Sequence, residues 1–283
     1  MDIDILLKEQ ELELYKKVIV NSIRDRFEKL NVKVGIVALS GGVDSSLVAV
    51  LSKEALGENL LCLIMPEEGV SPKEDIDHAL DLVNKFNIEY RIIPINGAIQ
   101  WFSERYEEIG KFEKNEKLAL ANVKPRIRMI LNYLYANALG GFVIGTSNKT
   151  ELLLGYGTKY GDVAADLYPI GDLYKTQVWQ LSDYVGIPTE IIRKKPSAGL
   201  WVGQTDEDEL GHTYYEIDRV LYCLVELELS VRETAEVLQI TEEAVLDIYR
   251  RVVTSEHKRK IPTITRLSRM CLDKDWKYPS DRY

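Results

Sequence analysis

The sequence predicts an α/β protein built on a doubly wound parallel sheet flanked by helices, with a helical C-terminal part. Three observations predict it. An apolar, β-branched-rich run at 34–39 breaks at the pair Gly41-Gly42, and a helix-compatible stretch follows at 45–56. Runs of strand length then alternate with helical periodicity as far as residue 145, the order that gives parallel pairing through crossovers. The first and last of these runs both end in polar, glycine-containing loops, the place where ligands gather in such sheets.

The elements read in order as follows. Residues 1–33 form an amphipathic helix, with Ile5, Leu12, Tyr15, Ile19, Ile23, Phe27 and Leu30 recurring at helical spacing. After the first strand and its helix, a second apolar run at 60–65 stops at Pro66, and a helical pattern at 73–86 leads to a third strand at 90–95. A long helix at 119–139 ends at Gly140-Gly141, and 142–145 is the fourth strand. Residues 146–204 crowd Gly, Tyr, Asp and Lys with little periodicity, and an irregular stretch of that length points to function. Helical patterns return at 216–229, 231–239 and 242–252, followed by an irregular tail at 257–283 with basic residues and aromatics. No repeat, low-complexity segment or linker interrupts the chain, so one domain over 1–283 is expected, with a core at 34–204 and a helical part and tail at 205–283.

Composition excludes several classes. At 283 residues, 46% hydrophobic and 29% charged, the chain is long and apolar enough for a sizeable folded core. No apolar run reaches the roughly 20 residues that span a bilayer. The acidic residues 1–13 lack the basic-then-apolar order of a signal peptide. Three scattered cysteines without CxxC spacing argue against a disulfide framework or a zinc site and for the cytoplasm. A net charge of −9 disfavours a general binder of nucleic acid or anionic membrane.

The most informative stretch is Ser40-Gly41-Gly42-Val43-Asp44-Ser45-Ser46, between the first strand and its helix. A helix N-terminus with free N–H groups binds anions, above all phosphate. The glycines allow close approach of the backbone, and Ser40, Ser45 and Ser46 add hydroxyls. Asp44 beside a phosphate is repulsive unless a cation lies between, and Mg²⁺ is the economical choice. The loop has neither GxxxxGK[ST] nor GxGxxG, so it is neither a P-loop nor a dinucleotide fingerprint. The run from Ser40 to Ser45 resembles the signature loop of the ATP pyrophosphatases, which cleave ATP between its α and β phosphates.

A second constellation follows the fourth strand: Gly145-Thr146-Ser147-Asn148-Lys149-Thr150-Glu151, then Tyr156-Gly157-Thr158-Lys159-Tyr160-Gly161-Asp162, Asp166 and Lys175. Further on come Lys195-Pro196-Ser197 and His257-Lys258. Carboxylates, lysines and hydroxyls among glycines suit a polyanionic substrate with a metal. Each also has a plainer reading: Glu151 as a helix-capping carboxylate, Asp162 and Asp166 as turn residues, Lys159 and Lys175 as surface lysines. Of Arg126 and Arg128, one is expected to form a salt bridge.

In order and spacing these segments, from the Ser-Gly-Gly loop to His257-Lys258, resemble the NAD⁺ synthetases over nearly the whole chain. The resemblance implies a Rossmann-like sheet of the adenine nucleotide alpha hydrolase type. It implies amidation of deamido-NAD by ammonia, with ATP converted to AMP and pyrophosphate through an adenylated intermediate. It places ATP against Ala38, Leu39, Ser40, Gly41, Gly42, Val43, Asp44, Ser45, Thr146, Lys175 and Ser197, and Mg²⁺ on Asp44 and Glu151. It gives Asp44, Lys175 and Glu151 the chemistry and assigns deamido-NAD to Arg126, Lys159, Asp166, His257 and Lys258. It also implies a homodimer in which the helix at 1–33 joins the interface.

Three positions depart from the family pattern: Pro125 before Arg126, where a helix start is expected, Ala121-Asn122, and Pro72 after Ser71. Residues 1–33 leave no room for a fused amidase, so direct use of ammonia is expected, with a separate glutaminase partner left open. The rivals are another adenylating enzyme of this superfamily, GMP-synthetase-like or tRNA-modifying, and a helix-turn-helix regulator at 230–252. The would-be recognition helix of the last opens with Glu242 and Glu243 and continues to Asp247, the wrong sign for phosphates.

Overall fold

A computed structural model gives the fold and describes residues 3–109, 116–197, 199, 201 and 203–271. In chain order the first half runs α1 (Glu9–Lys29), β1 (Gly35–Ala38), α2 (Val43–Leu56), β2 (Leu60–Ile64), α3 (Lys73–Lys85), β3 (Glu89–Ile92), α4 (Asn96–Ile109), α5 (Glu116–Leu139) and β4 (Phe142–Ile144). The second half is helical: α6 (Lys149–Leu154), α7 (Lys175–Tyr184), α8 (Thr189–Arg193), α9 (Asp206–Leu210), α10 (Tyr214–Val225), α11 (Val231–Leu238), α12 (Glu242–Thr254) and α13 (Glu256–Arg259).

The strands pair in the order β3-β2-β1-β4, all parallel, with Ile36 in register with both Leu61 and Val143. The chain thus winds one way from β1 to β2 and β3 and returns to the other side at β4. That reversal opens a crevice beyond the carboxyl ends of β1 and β4.

Alternation along the strands decides the two faces. Val37, Cys62, Ile64 and Ile144 pack with Ile23 and Phe27 of α1, Leu47 and Leu51 of α2, and Val178 and Leu181 of α7. Ile36, Leu61, Leu63 and Val143 point the other way, onto Ile127 and Ala136 of α5 and Ile99 of α4. A further apolar cluster joins Leu154 of α6 to Ile217 and Leu221 of α10, Leu238 of α11, and Val245 and Ile248 of α12. The second-half helices therefore form a support on which α6 rests.

Several expectations change. The helix expected at 1–33 covers Glu9–Lys29, because Lys8 before it is extended and residues 5 and 7 are tied to α7. The Gln177 amide donates to the Ile5 carbonyl at 3.0 Å, Leu7 N–H donates to Gln180 Oε1 at 2.9 Å, and Ile5 is buried. The stretch expected to be irregular, 146–204, contains α6, α7 and α8. In α7 the buried residues include Lys175, Thr176, Gln177 and Ser182 beside Val178 and Leu181, so polar residues at core positions erase the apolar period. The third strand ends at Ile92 rather than 95, α4 follows it, and α13 interrupts the expected tail; residues 272–283 of that tail lie outside the described residues. Pro125 sits inside α5 rather than at its first turn.

Candidate active site

The β1–α2 turn is built by its own hydroxyls and one glycine. Gly42 caps α2, Ser45 Oγ donates to the Gly42 carbonyl at 3.1 Å, and Ser40 N–H donates to Ser45 Oγ at 3.2 Å. These serines therefore brace the turn, taking the N–H groups of Ser40 and Gly42 themselves, and leave the first-turn N–H groups of α2 to face a ligand. Gly41 has φ of +83°, and a Cβ there would stand 2.1 Å from the Asp75 carbonyl oxygen of α3. Only glycine fits the position.

The turn opens on a cavity of about 570 Å³ at the crevice. Of the sequence-predicted set, the loop from Ala38 to Ser45 lines it at every position except Gly41, together with Thr146, Glu151, Lys175, Ser197 and Lys258. At its floor lies an ionic cluster. Lys175, 2% exposed at the first turn of α7, places Nζ 2.5 Å from Asp44 Oδ2 and 3.3 Å from Glu151 Oε1. Asn148 joins the pieces: its Nδ2 donates to Asp44 Oδ1 at 2.8 Å, and its Oδ1 accepts from Glu151 N–H at 2.9 Å as the N-cap of α6. Glu151 is thus both a capping carboxylate and a site carboxylate.

Burial works against the charge on Lys175, but Asp44 and Glu151 outweigh it and raise its pKa. Burial first, then the Asp44 charge, pushes Glu151 well above the usual carboxylate range, although Lys175 pulls the other way. Two carboxylates against one ammonium leave the floor short of positive charge. Asp206 deepens the deficit: burial raises its pKa, and its carboxylate accepts hydroxyls from Tyr156 and Tyr214, each at 2.9 Å.

Asp218 holds the cluster from beneath. This fully buried carboxylate accepts from Thr150 Oγ1 at 2.5 Å and from Thr176 N and Oγ1 at 2.8 and 2.9 Å. Those threonines are the chain neighbours of Glu151 and Lys175, so one side chain fixes both helix starts. Burial pushes Asp218 up to about 6 despite the donors around it.

The residues assigned to deamido-NAD are not all at this cavity. Lys258 is: its Nζ donates to the carbonyls of Gly155 and Gly157 at 2.6 and 2.7 Å and so ties α13 to the loop after α6. Arg126 is exposed and donates to the Lys159 carbonyl at 3.3 Å, His257 is exposed, and neither Lys159 nor Asp166 lines the wall. Asp166 Oδ2 accepts from Val143 N–H at 2.9 Å, which secures the edge of β4. The salt bridge expected of Arg126 or Arg128 does not form among the described residues; both guanidinia donate to carbonyls instead.

Sequence reasoning missed Asp206, Tyr214 and Asp218, and it quoted Asn148 and Tyr156 without giving either a role. For Asn148 a signal existed, since Asn148-Lys149-Thr150-Glu151 is a capping-box pattern. The others meet only through tertiary packing.

The family described as NAD synthase matches residues 15–262. The chain is 41% identical over 272 residues to the NH₃-dependent NAD⁺ synthetase of Trichlorobacter lovleyi, covering 95% of this chain and 96% of that protein. Among solved structures it is similar to the NMN synthetase of Francisella tularensis, with a TM-score of 0.79 and 33% identity over 90% of this chain and 99% of that one. The NH₃-dependent NAD synthetase of Campylobacter jejuni has a TM-score of 0.75 and 32% identity, with the same coverage of 90% and 99%.

Proposed function

The chain belongs to the NAD synthase family, and from that premise we propose that it joins ammonia to the nicotinate carboxylate of deamido-NAD, driven by cleavage of ATP to AMP and pyrophosphate. One observation carries the chemistry: an anion-binding helix N-terminus and the Lys175–Asp44–Glu151 cluster face the same cavity.

The carboxylate is a poor electrophile and is activated by attack on the α-phosphorus, which expels pyrophosphate. Charge then builds on the departing phosphates, where the first-turn N–H groups of α2 and the Lys175 ammonium oppose it. Ammonia attacks the acyl carbon of the mixed anhydride, AMP leaves and the amide remains. The protein supplies position and field, and no side-chain nucleophile is needed.

Asp44 and Glu151 would hold Mg²⁺. Among the described residues no group of three or more His, Cys, Asp and Glu side chains is arranged for a metal. A pair of carboxylates suits a cation that takes its other ligands from phosphates and water, and the excess of negative charge around Lys175 fits a dication. When bound, Mg²⁺ would neutralise charge on the polyphosphate.

Arg126, Lys159, Asp166, His257 and Lys258 carry the dinucleotide in this reading, which extends it from the cavity over the surface beyond. A homodimer supplies a second wall there. Leu14 and Val18 on α1, and Ile130 and Leu134 on α5, are exposed at i, i+4 spacing and support such contacts. A cytoplasmic site of action fits the three scattered cysteines without CxxC spacing, and no helix among the described residues is long and apolar enough to cross a membrane.

The test is a product balance. Purified protein with ATP, Mg²⁺, deamido-NAD and ammonium is expected to form NAD⁺, AMP and pyrophosphate in equal amounts, with less turnover on glutamine than on ammonium. The likeness to an NMN synthetase makes the mononucleotide acid the competitor to include. A higher kcat/KM on the mononucleotide would keep the chemistry and replace the substrate, and AMP formed without amide would reject both.

A further inference from the structure

The wall of the cavity contributed by α5 carries three polar side chains, of which Asn122 accepts from Thr158 Oγ1 at 2.8 Å, while Arg128 and Asn132 stand one helical turn apart. Arg128 Nε donates to the Met65 carbonyl at 3.1 Å, just past the end of β2, which fixes the guanidinium plane. Its Nη atoms have no hydrogen bond or ion pair to a described residue, although burial disfavours its charge. The nearest carboxylates are engaged elsewhere: Glu67 pairs with Lys124 at 2.7 Å, and Asp162 accepts from Thr158 N–H at 2.7 Å. Asn132 is 8% exposed, and its Oδ1 is sealed from solvent with no donor.

The other cations of the wall differ. Lys175 is held by Asp44 and Glu151, Lys194 by Asp75, and Lys258 by two carbonyls, while Lys195 is exposed. Arg128 therefore presents a half-buried, oriented fork with unused donors. A planar pair of N–H groups fixed at the wall of a cavity matches phosphate oxygens in bidentate fashion.

We propose that Arg128 is an anion-binding residue of this cavity, its Nη atoms taking a phosphate group of one of the two nucleotide substrates, with Asn132 hydrogen-bonding the same nucleotide. The inference rests on the synthetase reading. Arg126 lies two positions away on α5, is exposed and serves a different part of the surface.

Steady-state constants for ATP and for deamido-NAD, each varied at saturation of the other, test it with wild type, Arg128→Met, Arg128→Lys and Asn132→Ala side by side. Arg128→Met is expected to raise one of the two KM values about tenfold or more and leave the other within about twofold, as loss of a charged hydrogen-bonding pair does. Arg128→Lys, with charge but no fork, falls between, and Asn132→Ala raises the same KM about threefold or more. The nucleotide whose KM moves is the one that supplies the phosphate. Both KM values within about twofold of wild type in folded Arg128→Met would overturn the inference. If that variant does not fold, the same result in both Arg128→Lys and Asn132→Ala overturns it. An inactive wild type would instead reject the synthetase reading.

Discussion

Lys175→Met is expected to lower kcat by about 10²–10³-fold, the usual effect of deleting a group that opposes charge developing in a transition state. The ammonium is 2% exposed and lies between Asp44 and Glu151, at 2.5 and 3.3 Å. Methionine matches the side chain as far as Cε and removes the ammonium, so two half-buried carboxylates are left facing each other without it. Removing one partner from such a set costs about 3–5 kcal/mol of stability, and the variant should also melt earlier. Activity must therefore be normalised to folded protein, with circular dichroism run on the same samples. A folded variant whose kcat stays within about threefold of wild type would remove Lys175 from the chemistry.

Gly41→Ala is expected to damage ATP use more than any other glycine change in the nucleotide loop. Two costs combine there: a left-handed backbone worth about 1–2 kcal/mol for a residue with a Cβ, and a collision at 2.1 Å with the Asp75 carbonyl oxygen. Either the loop or the first turn of α3 has to move, and the loop is where the polyphosphate sits. Gly57→Ala is the control, because its φ is +60° but nothing lies within 4 Å of the new Cβ. The control should lose stability alone, whereas Gly41→Ala should also raise the KM for ATP about tenfold or more, as misplacement at a site does. Equal behaviour of the two variants in ATP kinetics would show that the close approach to Asp75 does not set the loop.

The sheet was legible because its central strands are buried on both faces and read as apolar runs ending in glycine or proline, as 60–65 does before Pro66. The nucleotide loop was legible for a local reason: its chemistry lies within seven consecutive residues, 40–46. The floor was not. Lys175 reads as an ordinary surface lysine until α7 buries it among Thr176, Gln177 and Ser182, and no periodicity announces a helix whose core side is partly polar. Its link to Glu151 and Asp44 came from the resemblance rather than from the residues alone.

The arginine pair shows the same limit. Arg126 and Arg128 are two positions apart, which turns them roughly 200° from each other on a helix, so one faces out and the other lines the cavity. Sequence spacing shows that they separate but not which is which. The helix-turn-helix pattern was correct in form, since α11 and α12 are a helix pair. Leu238, Val245 and Ile248 bury it against α10 and α6, so it supports the site.

The most direct test of the adenylate route follows one oxygen atom. Deamido-NAD labelled with ¹⁸O in the nicotinate carboxylate is turned over with ATP and ammonium, and the AMP, pyrophosphate and NAD⁺ are analysed by mass spectrometry. Attack of the carboxylate on the α-phosphorus and later expulsion of AMP carry one labelled oxygen into the AMP phosphate, with none in pyrophosphate. Label in pyrophosphate, or in neither phosphate product while NAD⁺ forms, would contradict activation of the carboxylate at the α-phosphorus in this cavity.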